Sequence, residues 1–383
     1  MRLKSIVKLG TIVSVLLFVL AVGYYVVMRL DMTERNREVD LFSFVPSDCA
    51  GVLDSDCVDM FFDNREMLNY SHDLDAFHAT GLFKFLLDRL EEYAAVNGHG
   101  VSGQMDRLAV SFHSPSDADS QVVYFQMGVA DVSVLTDILQ EFAASYFLPK
   151  EEAYRGEVMY VYPLSTEDFL AVYADEGVLV VSYQKSLIEK VIDARLDDTS
   201  LKDNEVFMQM LDKKKKGKDF LALYVRTSDT SFDGAEAEAW SEFNFHLNSD
   251  VLYLTGDTYV ADGESYVDRL MARVEEMDVV REKDLMVSSR KDSTEVFMND
   301  AFEANENGAG TLFNECVANL LADAPFVLVT DMEKVVSDPQ RFQPYLPSFV
   351  IQHAAKLRRF ILSVQVFVNQ GRPSHIWVFT YKD

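Results

Sequence analysis

The sequence predicts an α+β fold: an N-terminal transmembrane helix, then antiparallel β-hairpin-plus-helix units arranged in two related lobes. Three observations predict it. Twenty residues without a charge run from Leu9 to Met28. Beyond them, pairs of alternating apolar segments recur, each joined by a short polar turn and several followed by an amphipathic stretch. The two ends of the folded region also repeat one element order, and no βαβ series appears.

At about 1.5 Å rise per residue, a helix over 9–28 spans about 30 Å, the thickness of a hydrocarbon core. Arg2, Lys4 and Lys8 precede it, while Arg29, Asp31, Glu34, Arg35, Arg37 and Glu38 mix signs after it. The positive-inside bias leaves residues 1–8 in the cytoplasm and everything after Met28 outside. A cleaved signal peptide competes, because Ala21 and Gly23 are small residues before a cut at Tyr24. The apolar run continues through Met28, longer than most signal-peptide cores, which favours an uncleaved anchor. One glycosylation-type triplet, Asn69-Tyr70-Ser71, and no disulfide pattern point to a bacterial periplasm rather than a eukaryotic ectodomain. The expectation is a single-pass inner-membrane protein, C-terminal part in the periplasm.

Residues 29–44 read as a charged tether, and Val45-Pro46-Ser47-Asp48 as the entry to the folded part. The first strand, Cys49–Asp54, precedes a helix at 82–95. A first hairpin pairs 107–113 with 121–130, Leu108, Val110 and Phe112 facing Val123, Phe125 and Met127, and a helix follows at 132–146. The second pairs 168–174 with 178–183 across Asp175-Glu176-Gly177 and feeds a helix at 185–195 with Leu187, Ile188, Val191 and Ile192 on one face. A strand at Phe220–Val225 precedes the third hairpin, 240–247 with 251–260, and a helix at 264–276. Phe326–Thr330 reads as a strand before a helical stretch near 345–357, and the fourth hairpin pairs 359–368 with 375–381. Residues 49–130 and 325–381 thus share an order of elements, which gives a first lobe at 45–200 and a second at 218–383. Polarity rises at 197–218, the expected boundary, and again at 281–295.

Composition narrows the function. A formal charge of −27 repels nucleic-acid phosphates, so no nucleic-acid partner is expected. Gly98-His99-Gly100-Val101-Ser102-Gly103 matches a dinucleotide fingerprint in letters but follows a helix and precedes a strand, the wrong context. His72, Asp73, Asp75 and His78 are dense, yet His78 lies about 120° round a helix from His72. Cys316 falls on the apolar stripe Leu312, Phe313, Val317, Leu320, which reads as a buried thiol. Cys49 and Cys57 stand beside Asp48, Asp54 and Asp56, and an extended strand between them disfavours a disulfide. No organised nucleophile, metal or cofactor motif occurs, so no catalytic residue, metal or cofactor is expected. The run Lys213–Lys216 with Lys218 is the one local reversal of sign and reads as a solvated loop or a docking patch.

One surface stands out. With Phe243, Phe245 and Leu247 facing one way, Trp240, Glu242, Asn244 and His246 share the opposite face of their strand. In the last strand His375, Trp377, Phe379 and Tyr381 share a face. Both tryptophans therefore sit beside a histidine on a sheet face. Such faces are either covered by helices or form a partner or ligand surface.

The layout resembles a family of bacterial membrane-anchored proteins known only as a domain of unknown function. The likeness lies in the short basic N-terminus and single span, the Phe44-Val45-Pro46-Ser47-Asp48 entry, and the hairpin-plus-helix units that include Leu252-Tyr253-Leu254-Thr255-Gly256-Asp257. The resemblance implies no activity and no site residue. The expected function is a non-enzymatic binding or scaffold module for an envelope partner, the alternative an envelope receptor or hydrolase with a site in an inter-lobe cleft.

Overall fold

The computed structural model describes residues 39–55, 82, 107–114, 117, 119–126, 149–164, 169–213, 221–226, 238–260, 280–282, 285–289, 311–321, 324–346, 350–351, 354–369 and 372–382. Among the described residues fifteen strands form one sheet. They are β1 (Gly51–Ser55), β2 (Arg107–Phe112), β3 (Gln121–Gln126), β4 (Lys150–Tyr154), β5 (Glu157–Pro163), β6 (Phe169–Asp175), β7 (Val178–Ser182) and β8 (Leu221–Arg226). The series continues with β9 (Ala239–Leu247), β10 (Val251–Val260), β11 (Val280–Glu282), β12 (Leu285–Ser289), β13 (Phe326–Asp331), β14 (Phe360–Asn369) and β15 (Arg372–Tyr381). Five helices are described: α1 (Lys185–Leu196), α2 (Glu205–Lys213), α3 (Leu312–Ala318), α4 (Met332–Ser337) and α5 (Pro339–Phe342).

This corrects the expected fold class. The strands do not divide into two α+β lobes. They run in the order β11-β12-β13-β14-β15-β10-β9-β8-β1-β2-β3-β7-β6-β5-β4, and every ladder is antiparallel. Pairing of β1 with β8, over Gly51↔Val225 to Ser55↔Leu221, makes the sheet continuous between the two expected lobes. No helix of the described residues is long and apolar enough to cross a membrane. The span expected at 9–28 and the helices at 132–146 and 264–276 lie outside those residues, as does all of 82–95 but Leu82.

The strand order reads alike in both directions from the β1–β8 ladder. Outward on one side come a three-strand meander, β1-β2-β3, and then a second meander laid down in reverse, β7-β6-β5-β4; on the other side come β8-β9-β10 and then β15-β14-β13-β12-β11. Leu53 faces Leu223 at the centre. Carrying the register outward sets Ala109, Val110, Ser111, Phe112 and His113 in the positions of Glu242, Phe243, Asn244, Phe245 and His246. Likewise Val123, Tyr124 and Val181 stand where Gly256, Asp257 and His375 stand. The equivalent halves are 51–182 and 221–381, not the 49–130 and 325–381 that element order alone suggested.

One core runs across the junction of the two halves on one face, and two more lie within the second half. Ladder partners share a face, so Val52, Ala109, Tyr124, Val180, Tyr173, Tyr224 and Trp240 lie on what we call the front. There α1 lays down Leu187, Ile188, Val191 and Ile192, and α2 lays down Val206, Phe207 and Met210. Phe207 meets Trp240 at 5.0 Å and Tyr224 at 5.5 Å, both edge to face, and the Arg226 guanidinium covers the indole at 5.2 Å. Asn204 Oδ1 caps α2 by accepting from the Phe207 amide at 2.9 Å. Polarity at 197–218 therefore conceals a helix whose buried side forms core. The replacement Trp240→Ala is expected to cost about 3–5 kcal/mol, read as a lower urea midpoint with an unchanged slope.

In the second half the main core lies on the back. Met332 and Val335 of α4, Phe342 of α5, and Leu346, Val350, Ala354 and Leu357 cover Leu328, Leu362, Val364, Trp377 and Phe379. On the front, Cys316, Val317 and Leu320 cover Met286, Val327, Val329 and Ile361. The described part of the polar segment 281–295 belongs to β11 and β12. Hairpin β4–β5 was not anticipated; it turns through Arg155 (φ 52°) and Gly156 (φ 94°), and β6–β7 through Glu176 (φ 49°) and Gly177 (φ 82°). Two positive φ angles in succession suit the twist of a two-residue hairpin. Arg155 then binds Asp193 and Asp197 at 2.6–2.7 Å, tying its turn to α1. The edge strand β4 carries Lys150, Glu151 and Glu152, charges that discourage addition of another strand.

Candidate polar sites on one face of the sheet

Front-face positions at the ends of β2 and β9 carry the most organised polar groups described. In the first half Ser111 Oγ lies 2.9 Å from His113 Nε2 and 3.0 Å from the Tyr124 hydroxyl. Asp48, on the loop before β1, places Oδ1 3.8 Å from His113 Nδ1 and pairs with Lys190 of α1. Burial drives His113 down to about 4, Asp48 pulling up against it and Lys190 adding to the fall. The phenol of Tyr124 is held well above its ordinary range by burial, and Cys49 is pushed up to about 12 by the same cause.

Acid, imidazole and hydroxyl in that order invite comparison with a nucleophilic triad. The geometry argues otherwise. Ser111 is 0% exposed and its hydroxyl is shared with Tyr124, so no carbonyl can approach it. The 3.8 Å separation is too long for a hydrogen bond that would orient the imidazole. This copy is closed, its mouth filled by the protein's own loop and α1.

The equivalent place in the second half is open. Along β9, front-face burial falls from Trp240 (0%) and Glu242 (4%) to half-buried Asn244 and exposed His246. Beside them β10 presents Tyr253, Thr255 and Asp257, all half-buried, and β15 adds Ser374. Asn244 donates to Glu242 Oε1 at 2.8 Å, and Ser374 donates to Asp257 Oδ1 at 2.5 Å. The Tyr253 ring lies 5.7 Å from the His246 ring, and His246 Nε2 lies 3.4 Å from Thr255 Oγ1. Desolvation raises the Tyr253 phenol above its usual value.

Of the residues singled out from the sequence, Glu242, Asn244 and His246 gather here. Trp240 shares their face but lies under α2. His375 and Trp377 are on the back, so these two residues do not join the β9 surface. Trp377 packs 6.3 Å from Phe243, and the His375 ring lies tilted against Phe243 at 4.6 Å. Neither His375 nitrogen meets a hydrogen-bond partner among the described residues, and burial lowers its pKa to about 3. Asp257, Tyr253, Ser374 and the Asp48–His113–Ser111 set were missed. The Phe-His dipeptide at 112–113 recurs at 245–246 but also at 77–78, so it singles out neither site.

Among the described residues no three of His, Cys, Asp and Glu are grouped to hold a metal ion. Cys316 is buried on α3, and burial raises its thiol pKa. The glycine-rich stretch 98–103, the His72–His78 cluster, Cys57, and Lys214–Lys216 with Lys218 lie outside those residues. No family model matches the chain, and no curated protein or solved structure matches it.

Proposed function

We propose that the protein is a non-enzymatic binding or scaffold module of the bacterial envelope, held at the inner membrane by its apolar N-terminal segment with its folded part in the periplasm. The observation that carries this is the β1–β8 ladder. An inter-lobe site of the receptor or hydrolase kind needs a gap that can open. Here the halves meet through five consecutive antiparallel residue pairs of a continuous sheet. Among the described residues the one catalytic-looking constellation is sealed, and the charge of −27 favours partners with basic surfaces.

The test is a mild-detergent pull-down of the tagged full-length protein from its host, with a variant lacking residues 9–28 beside it. A stoichiometric partner that dissociates in moderate salt is the expected result. Recovery of the protein alone at every salt concentration contradicts the reading and turns attention to substrate screens.

A further inference from the structure

We propose that the end of the sheet at which the chain enters the fold is turned toward the bilayer, and that the exposed Leu196 and Val158 at that end lie against lipid. The inference rests on the membrane-held reading above and specifies which surface meets the membrane.

The length of the tether supplies the first argument. Residues 39–44, expected as the end of a charged tether, contribute to the core instead. Leu41, Phe44 and Val45 are fully buried, and the Phe42 ring meets Phe207 at 5.0 Å and Tyr224 at 6.1 Å, both edge to face. The Arg107 guanidinium covers Phe42 at 4.8 Å, and that of Arg195 covers Phe44 at 4.3 Å. The Val45 carbonyl accepts from the Leu201 amide at 2.8 Å, and the Ser47 amide donates to the Thr199 carbonyl at 3.0 Å. A segment held in this way does not peel off to lengthen the tether. Between Met28 and Val39 only ten residues remain. Whatever their conformation, ten residues reach about 35 Å at most.

Topology says which end is held close. The Val39 carbonyl accepts from the Gln126 side chain at 3.2 Å. Gln126 ends β3 and pairs with Arg107, the first residue of β2, and with Val178, the first of β7. The β6–β7 turn therefore lies at this end, with the β4–β5 turn beyond it. Helix α1 finishes here too, because Arg195 binds Asp175 and Glu176 of one turn while Arg155 of the other binds Asp193 and Asp197. From this end the chain crosses the front to Asp48 beside His113, and it enters β1 at the opposite end. There Gln184, before α1, donates to Asp117 in the β2–β3 loop at 2.8 Å.

Surface chemistry supplies the second argument. Leu196, the last residue of α1, is 47% exposed, and Val158, just past the β4–β5 turn, is 45% exposed. Exposed apolar side chains are ordinary on any surface; what distinguishes these two is a tether that keeps them near lipid. Asp175, Glu176, Asp193 and Asp197 around them are each paired with Arg155 or Arg195. The whole chain still repels anionic headgroups at a charge of −27, so the surface that suits this end is a zwitterionic one.

The test uses the full chain with Cys57→Ser, reconstituted in phosphatidylcholine vesicles in which a fraction of the headgroups carry a nitroxide quencher. A thiol-reactive dye is placed by Leu196→Cys, by Val158→Cys or by Asp119→Cys; Asp119 is exposed in the β2–β3 loop, and Cys49 and Cys316 are buried. Strands β2 and β3 set the two ends about 20 Å apart, so dyes at 196 and 158 are expected to be quenched at least about fivefold more strongly than the dye at 119. A dye at 196 or 158 quenched no more than the one at 119 overturns the proposal. Alkaline extraction of host membranes separates the two readings. If the protein stays in the membrane while the three dyes behave alike, the orientation is wrong and the membrane reading stands. If extraction releases a chain that has lost its apolar segment, the membrane reading fails by itself and the orientation falls with it.

Discussion

Replacing Gly256 by alanine is expected to destabilise the protein by about 3 kcal/mol or more, near the top of the range for overpacking. A Cβ at that position would stand 1.7 Å from the Glu242 carbonyl oxygen and 2.6 Å from its carbon. Both atoms belong to the backbone of β9, so no side-chain rotation makes room and two strands must part. The β9–β10 pairing skips this place, passing from Thr255↔Asn244 to Thr258↔Ser241. Phe243 and His375, one on each flanking strand, meet over the gap at 4.6 Å. In the first half the same three positions hold Val110, Val123 and Val181, an ordinary aliphatic row. Gly156→Ala is the comparison. Nothing lies within 4 Å of its Cβ, so only the positive φ opposes it, at about 1 kcal/mol. Urea unfolding of both variants decides the matter, and a Gly256→Ala protein within 1 kcal/mol of wild type would show that β9 is not packed against Gly256 as described.

Acid should weaken the fold through His375. Its pKa is about 3 in the folded chain against 6.5 for the ordinary side chain, and desolvation is the cause. Above 6.5 the ring is neutral in both states, and the stability is whole. Below that value the unfolded chain takes up a proton that the folded chain refuses, so stability is lost as pH falls from 6.5 toward about 3. Between neutrality and about pH 4.5 the loss from this one group is roughly 3 kcal/mol. His113, lowered to about 4, adds to it in the same direction. The check is unfolding free energy at both pH values for wild type and His375→Leu. The variant should lose roughly 2–3 kcal/mol less than wild type over that interval, whatever its stability at neutral pH. Parallel losses in the two proteins would mean that His375 ionises as freely folded as unfolded.

Local patterning explains which parts of this fold were legible. Hairpins β2–β3, β6–β7 and β9–β10 declare themselves because alternation and short turns are properties of neighbouring residues. The stripe of α1 does so for the same reason. Hairpin β4–β5 was missed because its burial alternates weakly, with Lys150, Glu151 and Val158 all exposed at the sheet edge. Similarly, α2 carries its buried Val206, Phe207 and Met210 among enough charged neighbours to read as a lobe boundary. The junction of β1 with β8 joins residues some 170 apart, and no local pattern encodes that pairing. An expectation of two lobes was the natural consequence.

Legibility of the site follows the same division. Alternation correctly put Glu242, Asn244 and His246 on one face of β9. It could not say that β15 turns His375 and Trp377 to the opposite face, since that depends on the Gly256↔His375 and Leu254↔Trp377 register. Asp257 was quoted only as the end of a strand, and its bond to Ser374 of β15 exists only through the fold. The closed copy was invisible for another reason: Asp48 and His113 are far apart in sequence and meet only through folding.

Hydrogen exchange of the β1 and β8 amides, followed by mass spectrometry on the full-length protein, tests the central claim most directly. A continuous sheet buries this ladder at its middle, so peptides covering 51–55 and 221–226 should be protected as strongly as those covering β2–β3 and β14–β15, and should lose protection with them as urea rises. If the two strands instead exchanged orders of magnitude faster than their neighbours, with each half keeping its own protection, the chain would be two lobes after all, and the gap excluded here would be the place to look for a site.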